Sequence, residues 1–232
     1  MNLKKKIFCA LDFSEIERTI EFSNLIKDHI GGLKVGLEFF TKYGVKGVEK
    51  LKKIDLPIFL DLKFHDIPNT VTNAVKNVLE LEPNFLTVHI TGGQEMLEKV
   101  VKIKGKTKII GVSLLTSLIG RDLRDFGLEI SEIEFINKLT KIGLKSGIDG
   151  IVSSPNEVKF LKNNYDNKLI FVTPGIRMPE NNMDDQKRLA TPGEAIKSGS
   201  SILIIGRTIT QSTSPLESIS KIMQNIEKSL ES

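Results

Sequence analysis

The chain is poor in the residues that build most metal, redox and disulfide centres. Tryptophan is absent, histidine occurs three times and cysteine once, as Cys9. A lone cysteine forms no intramolecular disulfide and no multi-cysteine zinc site. Cys9 also sits inside the apolar run Ile7-Phe8-Cys9-Ala10-Leu11, the setting of a small buried hydrophobe rather than a nucleophile. His29, His65 and His89 do not combine with a carboxylate at metal-ligand spacing, so no metal is expected. No apolar run approaches the roughly 20 residues of a membrane-crossing helix, and no N-terminal apolar segment leads to a cleavage site. The expectation is a cytoplasmic protein with no membrane partner. A large charge excess is lacking too. The net charge is +4, with the basic residues spread along the chain, which reads as a solvated surface rather than a nucleic-acid stripe. Lys4-Lys5-Lys6 reads as a solvated terminus.

What the chain does have is alternation. Its 232 residues can bury a full core, as one α/β domain or two smaller ones. Short β-rich runs at 6–12, 32–36, 57–63, 85–90, 107–114, 149–153, 169–173 and 201–205 are apolar almost throughout, as strands covered on both faces should be. Helical periodicity fills the intervals, as with Ile16, Ile20, Leu25 and Ile26. Ser154-Pro155, Thr191-Pro192 and Ser214-Pro215 each put a capping residue before a proline at the first helical position. With no Pro/Gly/Ser-rich linker, no low-complexity segment and no repeat beyond the βα unit, the pattern predicts a single (β/α)8 TIM barrel domain over residues 1–232. A doubly wound sheet also alternates, but G-x-G-x-x-G and G-x-x-x-x-G-K-[ST] are both missing. Gly31-Gly32 and Gly92-Gly93 read as turns, and Gly143 with Gly147 as helix packing.

In barrels the C-terminal ends of the strands carry function. Here they deliver Asp12, Lys34, Asp61 with Lys63, His89, Ser113 to Ser117, Ser153 with Ser154, Thr173 to Arg177, and Gly206 with Arg207. The early strands are dense in charge; the last two bring glycine-containing turns and arginines. That division suits a ligand with one reacting end and one phosphate, since loops after strands seven and eight commonly bind phosphate. Strand alternation places Asp61 and Lys63 on one face, and Asp66 follows where Pro68 ends the ladder. The triad can be a structural ion network, although a buried network is weak evidence for stability. Functionally it reads as a lysine kept protonated by two flanking carboxylates, a general acid for a developing carbanion. Asp12 and Lys34 extend the network or hold sugar hydroxyls. Asn69 or Thr70 is expected to start the next helix. His65 falls on the opposite face as a packing or loop-bonded residue, and His89 is a supporting candidate in the mouth. Gly206 permits close backbone approach, Arg177 and Arg207 offer planar forks for phosphate, and Gln186 is a further donor.

These residues carry a resemblance. Asp61-Leu62-Lys63-Phe64-His65-Asp66-Ile67-Pro68-Asn69-Thr70-Val71 is similar to the signature of the orotidine 5′-phosphate decarboxylase family. Ala10-Leu11-Asp12, Lys34-Val35-Gly36, Leu115-Thr116-Ser117, Thr173-Pro174-Gly175-Ile176-Arg177, Asp185-Gln186-Lys187-Arg188, Ala190-Thr191-Pro192 and Gly206-Arg207 follow in family order, so the likeness covers about residues 6–212. It implies decarboxylation to uridine 5′-phosphate, the last step of de novo pyrimidine synthesis, without metal or organic cofactor. By the resemblance, Lys63 protonates C6 of the pyrimidine and Asp61 lies beside the substrate carboxylate. Asp12 and Lys34 contact ribose hydroxyls, Thr116 and Ser117 the pyrimidine edge, and Arg177, Gln186, Gly206 and Arg207 the phosphate. Asp66 and Thr70 reach into the neighbour's site of a homodimer with shared active sites. Met178 between Arg177 and Pro179, the polar stretch Glu180–Asp184, and the bulky Ile90 and Thr91 depart from the family pattern. Two rivals remain. One is a magnesium-dependent sugar-phosphate decarboxylase or aldolase, which needs an acid where Lys34 stands. The other is a silent nucleotide-binding protein on the same fold.

Overall fold

The computed structural model describes residues 2–165, 168–178 and 189–231. Its strands are β1 (Ile7–Ala10), β2 (Gly32–Val35), β3 (Ile58–Phe64), β4 (Phe85–His89), β5 (Lys108–Val112), β6 (Gly150–Val152), β7 (Ile170–Thr173) and β8 (Ile202–Ile205). They pair in parallel, in chain order, and close where β1 meets β8 through Ile7↔Leu203, Phe8↔Ile204 and Cys9↔Ile205. The expected (β/α)8 TIM barrel is therefore the observed fold. The predicted strands are trimmed by a residue or two, except that β3 runs on to Phe64. Of the trimmed C-terminal residues, Asp12 and Leu114 reach the barrel mouth, while Ser113 is buried with its hydroxyl donating to Val152 C=O at 3.1 Å.

The helices are α1 (Ile16–Ile26), α2 (Leu37–Lys52), α3 (Pro68–Leu79), α4 (Gln94–Ile103), α5 (Gly120–Asp125), α6 (Glu132–Ser146), α7 (Pro155–Tyr165), α8 (Pro192–Ser198), α9 (Arg207–Thr210) and α10 (Pro215–Glu231). All three expected prolines open helices. At α8 the start is a full capping box: Glu194 N–H donates to the Thr191 hydroxyl at 3.2 Å, and Thr191 N–H to the Glu194 carboxylate at 2.8 Å. One boundary differs. α3 begins at Pro68, ahead of Asn69 and Thr70, with extended Ile67 as its cap residue. Proline lacks the N–H that would be unpaired there and already has a helical φ.

Two apolar layers hold the barrel, and strand alternation sorts them. Ile7, Cys9 and Leu33 face outward into the large cluster shared with the helices. Phe8, Ala10, Phe59, Ile110, Val172, Ile202 and Ile204 fill the interior. Phe8, Phe59 and Phe85 meet there with ring centroids 5.4–6.4 Å apart. Gly32 turns out to be a packing residue rather than a turn: a Cβ on it would stand 2.2 Å from the Phe8 ring. Gly143 packs as expected, its missing Cβ leaving room for Ile148, whereas Gly147 closes α6 in the left-handed conformation at φ 83°. Cys9 is fully buried and its thiol is pushed well up by that burial. Among the described residues no helix is long and apolar enough to cross a membrane.

Candidate active site

The C-terminal ends of the strands surround a cavity of about 280 Å³. Its floor is the top of the barrel filling, with Ala10, Phe59, Val172 and Ile204. Asp12, Lys34, Asp61 and Lys63 bring charge from the first three strands; Gly175, Arg177, Gly206 and Arg207 come from the last two, and Thr116 from the loop after β5.

The charged residues form a chain. Lys63 Nζ lies 2.8 Å from Asp61 Oδ1, and Lys34 Nζ lies 3.5 Å from Asp61 Oδ2, so each carboxylate oxygen faces its own ammonium. Lys34 is buried, and Gly36 makes room for its head: a Cβ there would come within 2.9 Å of Nζ. Burial on its own would raise the Asp61 pKa. The charges of Lys34 and Lys63 outweigh it, helped by hydrogen bonds from Lys63 and Thr87, and hold the carboxyl below its ordinary range.

Alternation alone does not create this geometry. Leu60 pairs with Leu86 and Phe64 with Val88, so Asp61, Leu62 and Lys63 together stand opposite Thr87. This bulge puts Lys63 in the left-handed region at φ 49°, at a cost of about 1–3 kcal/mol for a residue with a side chain. Thr87, fully buried, bridges the bulge. Its hydroxyl accepts from Lys63 N–H at 2.8 Å and donates to Asp61 Oδ1 at 3.0 Å. Sequence reasoning missed it, although a hydroxyl residue in the apolar run Phe85-Leu86-Thr87-Val88 was a visible signal.

Not every expected residue joins the cavity. Asp66 does not flank Lys63 within its own chain. The chain turns outward after Phe64, leaving Asp66 exposed, its Oδ1 accepting from Ile67 N–H at 2.7 Å. Among the described residues it pairs with no cation, and the two-carboxylate reading of Lys63 reduces to Asp61 alone within one chain. Thr70 is exposed as well, and Ser117 lies beside the cavity rather than lining it. Gln186 lies outside the described residues.

His65 is loop-bonded, with Nε2 3.4 Å from the Thr91 hydroxyl and its ring 5.1 Å from that of His89. His89 stands behind the charged chain, and burial, with His65 and Lys63 adding to it, pushes its pKa down to about 4. On the other side Gly175 turns at φ 75°, Arg177 N–H donates to Ala190 C=O at 3.1 Å, and its guanidinium donates to Ile176 C=O at 2.9 Å. Among the described residues no group of three or more His, Cys, Asp or Glu side chains could hold a metal.

Residues 5–222 match the model of the orotidine 5′-phosphate decarboxylase / HUMPS family. The chain is 44% identical to orotidine 5′-phosphate decarboxylase of Sphingopyxis alaskensis over 210 residues, covering 90% of this chain and 93% of that one. It is 41% identical to the enzyme of that name from Dictyoglomus turgidum, covering 97% of each. The crystal structure of orotidine 5′-phosphate decarboxylase from Lactobacillus acidophilus superimposes with a TM-score of 0.82 at 35% identity, covering 95% of this chain and 98% of that one.

Proposed function

The chain belongs to the orotidine 5′-phosphate decarboxylase / HUMPS family, and from that premise we propose that it converts orotidine 5′-phosphate to uridine 5′-phosphate and carbon dioxide in pyrimidine biosynthesis. The observation that carries this reading is the Lys34–Asp61–Lys63 chain on one wall of a cavity whose opposite wall holds Arg177 and Arg207.

In this mechanism Arg177 and Arg207 grip the phosphate with Gly206 and Gln186. Asp12 and Lys34 hold the ribose hydroxyls, and Thr116 with Ser117 fixes the pyrimidine edge. The substrate carboxylate lies beside Asp61. When the bond from C6 to the carboxylate breaks, its electron pair stays on C6, where conjugation with the ring cannot spread it. The Lys63 ammonium faces that position already oriented, so it stabilises the developing charge without reorganisation. Its proton forms the new C6–H bond, carbon dioxide leaves, and the lysine is reprotonated from solvent. Binding energy from the distant phosphate orients the ring and offsets the cost of closure. No metal or organic cofactor takes part.

The exposed Asp66 and Thr70 serve the partner subunit's site, so the working unit is a homodimer of single-domain barrels in the cytoplasm, without nucleic-acid or membrane partners. The magnesium-dependent alternative is disfavoured by Lys34, a cation where that chemistry needs an acid. The test is incubation of the purified protein with orotidine 5′-phosphate in the presence of a chelator, following uridine 5′-phosphate. Formation of product is expected. Its absence overturns the reading, turnover only with added magnesium favours the sugar-phosphate alternative, and nucleotide binding without turnover favours the silent one.

A further inference from the structure

We infer that Thr87 is a positioning residue for the reaction, one whose hydroxyl fixes both the Asp61 carboxylate and the main chain that carries Lys63. The inference rests on the decarboxylase reading for its kinetic consequences, though not for its geometry.

The bulge creates the need. With Asp61, Leu62 and Lys63 all opposite Thr87, the main chain of β4 cannot pair every N–H that β3 presents. Lys63 N–H goes instead to the Thr87 side chain, at 2.8 Å. An N–H can only donate and an ionised carboxylate can only accept. The hydroxyl must therefore accept from Lys63 N–H with one of its lone pairs and direct its only proton to Asp61 Oδ1, 3.0 Å away. That same Oδ1 receives Lys63 Nζ at 2.8 Å. The result is a closed ring: Lys63 main chain, Thr87 hydroxyl, Asp61 carboxylate, Lys63 ammonium. Each end of the lysine is thus held, one directly and one through Asp61, against the left-handed backbone at φ 49° that would otherwise relax.

Thr87 suits the task because it is wholly buried, and its own strand is locked to both neighbours, with Thr87 itself opposite Ile110. Branching at Cβ restricts its χ1, so the hydroxyl is pre-aimed. No solvent competes for it.

The test compares Thr87→Val, which keeps the branched shape and removes the hydroxyl, with Thr87→Ser, which keeps the hydroxyl. Thr87→Val is expected to lower kcat about 100-fold while KM stays within about threefold, the signature of misplaced reacting groups rather than lost binding. The Asp61 carboxyl, followed by carbon NMR in substrate-free protein, should titrate at higher pH in Thr87→Val than in the wild type, since one hydrogen bond to its charged form is gone. Thr87→Ser should retain kcat within about threefold. Near-normal kcat in Thr87→Val, a Thr87→Ser enzyme as slow as Thr87→Val, or an unchanged Asp61 titration overturns the inference. If Thr87→Val does not fold, Thr87→Ser decides, and a loss near 100-fold there counts against the hydroxyl. A wild type inert toward orotidine 5′-phosphate sinks the decarboxylase reading alone, because the Asp61 titration still reports on Thr87.

Discussion

Two carboxylates in this barrel sit between two lysines, at opposite ends of the molecule. At the C-terminal end Asp61 meets Lys34 and Lys63 at 3.5 and 2.8 Å. At the N-terminal end Asp149, just before β6, pairs with Lys104 and with Lys108, the latter at 3.1 Å, and also accepts Ile109 N–H at 2.9 Å. Their side chains are about equally covered, 15% and 12% exposed. Both carboxyls are held below their ordinary range although burial pushes them up. Pair geometry, burial and titration therefore fail to separate them. What differs is the surroundings. Asp149 uses a main-chain N–H to tie β5, β6 and the end of α4 together. Asp61 lines an open cavity, and its lysine stands on a strained bulge. One network closes on itself, and the other presents an ammonium to the cavity.

The largest expected effect tests that division directly. Lys63→Ala should lower kcat by about 10⁴-fold, the upper range for a positioned proton donor, with the circular dichroism spectrum unchanged. Asp61 keeps Lys34 and the Thr87 hydroxyl as partners in this variant, so stability should change little. A variant retaining near-normal turnover would remove Lys63 from the chemistry and leave the two ends alike.

Much of this was legible beforehand, for identifiable reasons. Strands such as Ile58–Leu60 are apolar because both faces are covered, so alternation with amphipathic helices points to a barrel. Charges ending such a strand are expensive, which singled out Asp61 and Lys63. What stayed hidden depends on partners distant in sequence. The bulge at Lys63 depends on a hydroxyl on the next strand, at Thr87. The absence of a side chain at Gly32 answers to the ring of Phe8 on the neighbouring strand. Asp66 follows the motif in sequence yet turns away from the cavity, because the chain leaves the sheet after Phe64 and Pro68 at once starts α3. Local pattern predicts which residues are unusual, not which way the chain carries them.

The next effect is in stability. Asp149→Asn keeps an oxygen for Ile109 N–H and loses the charge that holds Lys104 and Lys108. It should cost about 2 kcal/mol, the range for charge-assisted hydrogen bonds, while turnover per folded molecule stays unchanged. Asp61→Asn should cost about 3 kcal/mol by leaving the buried Lys34 and the half-buried Lys63 ammonium groups uncompensated, and abolish turnover as well. Urea unfolding with parallel activity assays separates the two. If Asp149→Asn impairs turnover of the folded protein, the N-terminal network is not purely structural.

Acid should act on both ends with the same sign. Each carboxyl is depressed in the folded state, so its stabilisation is present above the unfolded value, 3.8 for an ordinary aspartate. The contribution fades as pH falls below that value and is gone once the folded pKa is passed. Stability measured against pH should therefore fall on the acid side in the wild type, and each Asp→Asn variant should flatten part of that fall. A variant whose acid limb matches the wild type would show that its carboxyl contributes no pH-linked stability.

The smallest effect is the most discriminating for the comparison. Lys108 makes a 3.1 Å ion pair with Asp149, close to the 2.8 Å pair of Lys63 with Asp61, but its side chain is 51% exposed. Water screens it and holding it in place costs side-chain entropy, so the pair contributes only about 0.5 kcal/mol. Lys108→Ala should then lower the melting temperature by about 1–2 °C and leave kcat and KM where they were. Asp149 retains Lys104 and Ile109 N–H, so its position is still set by two partners. Two lysine–aspartate pairs of nearly equal length would thus differ by four orders of magnitude in their effect on turnover. A tenfold change in kcat for Lys108→Ala would break that contrast, because it would mean that an ion pair at the closed end of the barrel governs the geometry of the open one.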